Sequence, residues 1–357
     1  MRVALVHDDL VQWGGAERML LGLSEAFPDA PIFTSLFDQN NLILKDKFKG
    51  KKIHTSFLQK IPGWKFLYRI LLPFYPMAFE QFNFDKFDLV ISQTTKFPKC
   101  IITKPEVKHL CIWHTPPRFL YHFSDKKTYG LAEIIMTKLR VIDRISAQRV
   151  DKFLAGSDNA KKRIKKIYNR NSDVLYPFVD LDRFKNMESF DGGYFVVVSR
   201  LNKYKRVDLA IKACNKLNYR LKIVGVGPEL DKLKSLNKKN LVEFLGSVND
   251  EYLSLVLLGA KALIVPSEED FGLVSLEAQA LQKPVVALKK GGSLETLQDS
   301  KNAILFDEQT EEDLSKALNK ISTLKLDSIY NKKSLEKFSK ETFMRKLKHS
   351  VVKLMYT

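Results

Sequence analysis

The sequence predicts an α/β protein made of two doubly wound domains in tandem, and three observations carry that prediction. The chain has 357 residues, too many for one ordinary core and suited to two domains of about 150–200 residues each. Short apolar, β-branched runs alternate with stretches of helical period from end to end. The alternation breaks once, at 176–193, and then restarts.

Taken in order, Val3 to His7 reads as a strand and Ala16 to Phe27 as an amphipathic helix. PIFTSL, DLVISQ, HLCIWH and KFLAGS follow as buried strands of a mostly parallel sheet, with a long helical stretch from about Lys126 to Val150 between the last two. The segment YPFVDLDRFKNMESFDGG lacks periodicity and ends in Asp191-Gly192-Gly193, which marks a linker. YFVVVS, RLKIVG, LVEFLG, KALIVPS and KPVVAL then repeat the strand signal, with helices such as Arg206–Leu217 and Phe271–Leu281 in between. The expected divisions are 1–175, 176–335 and a basic helical tail at 336–357.

Composition narrows the function classes. Hydrophobic residues make up 45% and charged residues 28%, as in a globular protein. The balance of 59 Lys plus Arg against 41 Asp plus Glu leaves +18, which points to an anionic partner. The start MRVALVHDDL carries two acids and only a short apolar run, unlike a signal peptide, and no run approaches the span of a bilayer. Cys100, Cys111 and Cys214 lie far apart among apolar neighbours, so buried reduced thiols in a cytoplasmic setting are expected, without metal chemistry.

In open α/β sheets ligands bind beyond the carboxyl ends of the strands, so the loops there are the places to look. Asp8 to Gly15 ends in Gly14-Gly15 before a helix, a place where backbone and ligand can approach closely. A plain turn fits that loop equally well, and the spacing is not that of a dinucleotide fingerprint. After YFVVVS come Arg200 and Lys205, a fork and a point charge suited to a diphosphate. Glu269 precedes a helix and Glu277 lies within it among apolar residues, where a carboxylate needs a partner such as a sugar or ribose hydroxyl. A surface-facing glutamate is the ordinary alternative. Phe271, Gly272 and Leu273 stand at that helix entrance, where free N–H groups gather. His114 closes the HLCIWH strand, and Gly225 and Val248 follow two later strands where a base can rest. A lone histidine is more often structural.

GGAE, WHTPPR, SRLNKYKR, VGVGPE and EEDFGLVSLE occur in that order. Together they resemble the family 4 glycosyltransferases of the GT-B fold, in which two Rossmann-like domains face across a cleft, with a Glu-x7-Glu element at 269–277. The N-terminal stretch from TSFLQ to VISQ, with HTPPRFLYHF after it, is similar to a subgroup that builds bacterial O-antigen or capsule, many members of which transfer mannose from GDP-mannose. The resemblance implies a retaining transfer without a metal or other cofactor. Arg200 and Lys205 would hold the donor diphosphate, Glu277 the ribose and Glu269 the transferred sugar. Gly272 and Leu273 would supply N–H groups, Gly14 and Gly15 would lie under the diphosphate, and His114 would sit near the far hydroxyls of the sugar. It also implies that the C-terminal helix crosses back to the N-terminal domain.

From Lys45 to Arg69 there are seven Lys and one Arg against Asp46 alone, and ILLPFYPMAF follows. Basic residues beside aromatic ones suit an anionic membrane, with Lys51, Lys52, Lys60, Trp64, Lys65 and Arg69 expected to face it. A lipid-linked saccharide acceptor and peripheral attachment to the inner face of the cell membrane fit that expectation. The alternatives are a core-facing apolar stretch with solvated lysines here, a UDP-sugar donor, a GT-B epimerase or phosphorylase, and a nucleic-acid binder that would lack any recognised motif. Lys161 to Lys166 offers a second basic run, on a helix capped by Ser157 or Asp158, where a solvated face fits as well as a phosphate contact.

Overall fold

The structure, a computed structural model, describes residues 1–67, 70–121, 130–184, 187, 190–321 and 334–356. It divides into two compact units, Met1–Pro177 with Phe343–Thr357, and Phe178–Thr342.

The first unit holds a parallel sheet of β1 (Val3–His7), β2 (Ile32–Thr34), β3 (Ile53–Thr55), β4 (Leu89–Thr94), β5 (Lys108–Trp113), β6 (Lys152–Ala155) and β7 (Ser172–Val174). Their order is β3-β2-β1-β4-β5-β6-β7. The inner strands β1 and β4 are buried along their whole length, polar His7, Ser92, Gln93 and Thr94 included, which is why neither shows the alternation of a half-exposed strand. Ala4, Val6, Phe33 and Val90 meet Tyr75, Phe79, Phe84 and Phe97 in one core cluster. Ser157 caps the helix Asp158–Tyr168 by accepting from Ala160 N at 2.9 Å. Lys161, Lys162, Lys165 and Lys166 on that helix are exposed.

In the second unit β8 (Tyr194–Val198), β9 (Arg220–Val224), β10 (Val242–Gly246), β11 (Ala260–Val265), β12 (Val285–Leu288) and β13 (Ala303–Phe306) form another parallel sheet. The order here is β10-β9-β8-β11-β12-β13. Phe195, Val197, Ile223, Ile264 and Val286 pack with Ile211 and Cys214 of the helix Val207–Leu217 and Leu314 and Leu318 of the helix Glu311–Lys320. All three cysteines are buried and free. Burial pushes their thiols up, Cys100 to about 11 and both Cys111 and Cys214 to about 12.

Each sheet has a point where strand order reverses, between β1 and β4 in the first and between β8 and β11 in the second. The loops leaving these strands at their carboxyl ends flank the crevice in which open α/β sheets hold ligands. The last described helix, Lys340–Met355, buries Phe343, Leu347, Val351 and Leu354 along one stripe.

The stretch expected to face a membrane is divided by the structure. It contains β3, which extends the sheet by pairing with β2. Lys51 Nζ donates to the carbonyls of Ser24 at 2.9 Å and Pro28 at 3.5 Å, the first within and the second just past the helix Gly15–Ala26. A cation there offsets the unsatisfied carbonyls and the negative end of the dipole. Trp64 is partly buried and packs against the core. Lys65 is half-exposed and pairs with Asp38 at 2.7 Å, while Lys52 and Lys60 are exposed. Arg69 lies outside the described residues. Among the described residues of the stretch, Phe57, Phe66 (92% exposed), Ile70, Phe74 and Met77 are the large apolar side chains that reach solvent.

Candidate active site

In the second unit, β8 delivers Ser199-Arg200-Leu201 and then a single 3-10 turn, Lys203–Lys205. β11 delivers Pro266 to Gly272 on the neighbouring side of the reversal point. The two loops meet through one ion pair. Lys205 Nζ donates to both carboxylate oxygens of Glu269 at 2.6 Å, and Ser267 Oγ adds a hydrogen bond to Oε1 at 3.2 Å. Arg200 is exposed, and no ion pair ties it down among the described residues. An unengaged guanidinium on the same loop as a largely buried Lys–Glu pair can receive an anion while a hydroxyl-bearing ligand meets the carboxylate.

Two glycines make this arrangement possible. Gly225 has φ +134°, and a Cβ on it would lie 1.9 Å from the Ser199 carbonyl oxygen. Only glycine lets the loop after β9 lie against the Arg200 loop, where Leu201 N donates to Val226 O at 2.9 Å. Sequence alone suggests a base contact at Gly225; its geometric work in the structure is to seat the Arg200 loop. Gly291, after β12, was not anticipated. It has φ +62°, and a Cβ there would meet Glu269 O at 2.4 Å. The neighbouring Gly292 N donates to that same carbonyl at 2.8 Å. The Gly-Gly pair before the short helix Ser293–Thr296 was the available signal.

Gly272 adopts the left-handed conformation just before the helix Leu273–Ala280. Phe271 is buried, with its ring edge-to-face on Phe338 at 5.4 Å, so its side chain belongs to the core. Val248 sits half-buried on the loop after β10. Glu277 is buried as expected, and its charge is met by a cation that sequence reasoning missed. Arg183, on the 3-10 turn Leu181–Phe184, places Nη1 at 3.4 Å from Glu277 Oε1 and Nη2 at 3.2 Å from the Asp250 carbonyl. Ser254 Oγ lies 3.3 Å from the same nitrogen. A cavity of about 510 Å³ lined by Phe195, Lys261, Lys283 and Ile321 lies at the opposite, amino-terminal ends of these strands. It shares no residue with the Arg200–Glu269 group.

The first unit gathers a second polar group at the carboxyl ends of β1, β4 and β5. Gly14 and Gly15 open the helix Gly15–Ala26, whose Glu17 is buried 3.9 Å from the buried His7. The Asp8 carboxylate accepts from Thr95 N at 2.7 Å and Thr95 Oγ1 at 2.9 Å. Burial raises the Asp8 carboxyl above its ordinary range, with Lys96 and His7 opposing. Asp9 pairs with Lys96 at 2.6 Å. Burial works against the Lys96 ammonium, but Asp9 and Asp8 outweigh it and raise its pKa. His114, half-buried just past β5, has Nε2 at 2.9 Å from Gln93 Nε2. The acids of HDD directly after β1 were a readable sign of this cluster, and the sequence reading passed over them.

Residues 179–342 match the family model for glycosyl transferases group 1, the same span as the second unit to within one residue. The protein is a glycosyltransferase. This glycosyltransferase is similar to the alpha-1,3/1,6-mannosyltransferase ALG2 of Mus musculus, at 24% identity over 99% of this chain and 96% of that one. The Homo sapiens ALG2 gives 26% with the same coverages, 99% and 96%. Among solved structures, HepE of Anabaena in complex with UDP-glucose superposes with a TM-score of 0.74 at 17% identity, covering 99% of this chain and 100% of that one. Sucrose-phosphate synthase of Thermosynechococcus elongatus gives 0.73 at 16% identity, with 100% of both chains covered. These likenesses establish the GT-B fold, two parallel Rossmann-like sheets flanked by helices. For a glycosyltransferase, net charge alone gives no reason to invoke nucleic acid.

Proposed function

We propose that this glycosyltransferase moves mannose from GDP-mannose, with retention of anomeric configuration, onto a lipid-diphosphate-linked saccharide of a bacterial surface polysaccharide. The observation that carries the donor reading is the Lys205–Glu269 pair with the unpaired Arg200 at the β8/β11 reversal point. Departure of a nucleoside diphosphate builds negative charge on its phosphate oxygens. Preorganised cations that meet that charge as it develops supply the largest single part of catalysis. Arg200 and Lys205 fill this role without a metal. Glu269 meets a sugar hydroxyl, Glu277 with Arg183 holds the ribose edge, and the N–H groups of Gly272 and Leu273 face phosphate or sugar. Gly14, Gly15 and His114 of the first unit act on the sugar and acceptor side. Mannose is favoured because the relatives that match over nearly the whole chain are named mannosyltransferases. A UDP-sugar is the second reading, supported by the UDP-glucose bound to HepE.

The acceptor side includes membrane docking, at the inner face of the cytoplasmic membrane. Phe66, Ile70, Phe74 and Met77 are exposed along one short segment that also carries the exposed Lys60 and Lys65. Apolar side chains entering the acyl boundary beneath basic ones that meet anionic headgroups is the interfacial pattern.

The deciding experiment incubates the protein with GDP-mannose, UDP-glucose and other nucleotide sugars, with and without EDTA, and follows nucleotide release. Release from GDP-mannose that survives EDTA and collapses in Lys205→Met is the expected result. Release unaffected by Lys205→Met overturns the donor assignment, and release from UDP-sugars alone replaces the donor.

A further inference from the structure

We infer that Gln93 is a positioning residue that fixes the tautomer of His114, holding the proton on Nδ1. Gln93 is the fifth residue of β4 and fully buried. Its side-chain nitrogen donates to the carbonyl of Ala16, in the first turn of the helix that Gly14 and Gly15 open, at 2.7 Å. That contact settles the orientation of the amide, because an amide oxygen at the same place would face a carbonyl oxygen. The same nitrogen lies 2.9 Å from His114 Nε2. An amide NH2 has two hydrogens and no acceptor capacity, so Nε2 of the imidazole must accept. A neutral imidazole that accepts at one nitrogen carries its proton on the other.

The bond that sets the tautomer therefore also ties the end of β5 to the helix after β1 through β4. Nδ1 lies on the side of Gly156, where a Cβ would come within 3.2 Å of it. With Gln93 in place, His114 presents an N–H rather than a lone pair at Nδ1, and a sugar hydroxyl oxygen is the kind of group an N–H orients. That last step rests on the reading of His114 as a sugar contact. The tautomer assignment does not.

The test uses the full chain with 15N-labelled histidine and reads the two ring nitrogens of His114 by long-range 1H–15N correlation. His114→Gln assigns the signals. The wild type is expected to show a protonated Nδ1 and a bare Nε2. Gln93→Glu keeps the shape and puts an acceptor opposite Nε2, so Nε2 becomes protonated. Gln93→Met removes the donor and leaves a mixture of tautomers. Thermal midpoints are recorded for both variants, and the Met variant keeps the test open if the Glu variant fails to fold. Turnover of the nucleotide sugar is expected to fall about tenfold in each variant, while nucleoside diphosphate affinity stays unchanged. A wild type protonated on Nε2, or a spectrum untouched by both substitutions, overturns the inference. A switched tautomer with unchanged turnover leaves the assignment standing and removes His114 from the sugar site.

Discussion

Glu269→Gln should tighten binding of a nucleoside diphosphate while it slows sugar transfer. Lys205 Nζ stands 2.6 Å from both oxygens of Glu269, so a diphosphate and the carboxylate compete for one cation. The two side chains keep 15% and 20% exposure, which places the pair between bulk water and a dry interior. At an effective dielectric of about 20, unit charges about 4 Å apart interact by about 4 kcal/mol. Partial solvent screening, and the hydrogen bond that a glutamine oxygen still accepts, reduce the difference between Glu and Gln to about 1–2 kcal/mol. That corresponds to a gain of about 5–30-fold in affinity. Titration calorimetry with GDP and UDP measures it, and because neither ligand carries a sugar, loss of the sugar contact does not enter. Lys205→Met should weaken binding, and adding Glu269→Gln to it should bring no further gain, as expected when two changes act through one interaction. Equal or weaker diphosphate binding by Glu269→Gln alone would refute the idea that Lys205 is shared.

Gly225→Ala places a methyl group 1.9 Å from the Ser199 oxygen; the Arg200 loop must move, and a loss of about 2–3 kcal/mol in chemical unfolding together with at least about tenfold weaker nucleotide binding is expected. Replacing both Phe66 and Phe74 by Ser should lower co-sedimentation with anionic liposomes by about tenfold or more per ring, at about 2 kcal/mol for each buried phenylalanine. Lys51→Met should leave that sedimentation unchanged, and added salt should weaken it in the wild type. Burial holds the His109 imidazole at about 3 instead of 6.5, with Nε2 at 2.8 Å from Ser92 Oγ. The unfolded chain therefore takes up the proton first. Stability is complete above about pH 6.5 and falls as pH drops toward 3, by about 2–3 kcal/mol at pH 4.5. Denaturant melts across that range should show a shallower slope in His109→Gln.

The strand–helix alternation was legible because strands of a sheet covered on both faces carry apolar runs in place of alternation, as YFVVV and the LVI of DLVISQ do. Strands β3 and β7 were missed for the converse reason: IHT and SDV are three residues each, at or near the sheet edge, with too little apolar content to announce themselves. The loops bearing Arg200, Lys205 and Glu269 could be located because a strand end is visible in sequence. Their mutual distance could not, since it depends on β8 and β11 lying side by side across the reversal point. Arg183 and Glu277 are 94 positions apart, and nothing local to either residue marks the other as its partner. The inward turn of Trp64 and the outward turn of Phe66 are likewise set by packing, because the segment has no clean period to assign a face.

The first unit is written in two pieces, Met1–Pro177 and Phe343–Thr357, with all of the second unit between them. A ribosome finishes the second unit's sheet before it supplies the last helix of the first. The usual sequence, in which the amino-terminal domain completes itself while the rest is being made, is closed to this chain. Until the helix Lys340–Met355 has been made, the first unit lacks a piece that the folded structure includes in it. Folding of the first unit is thus coupled to synthesis of the second.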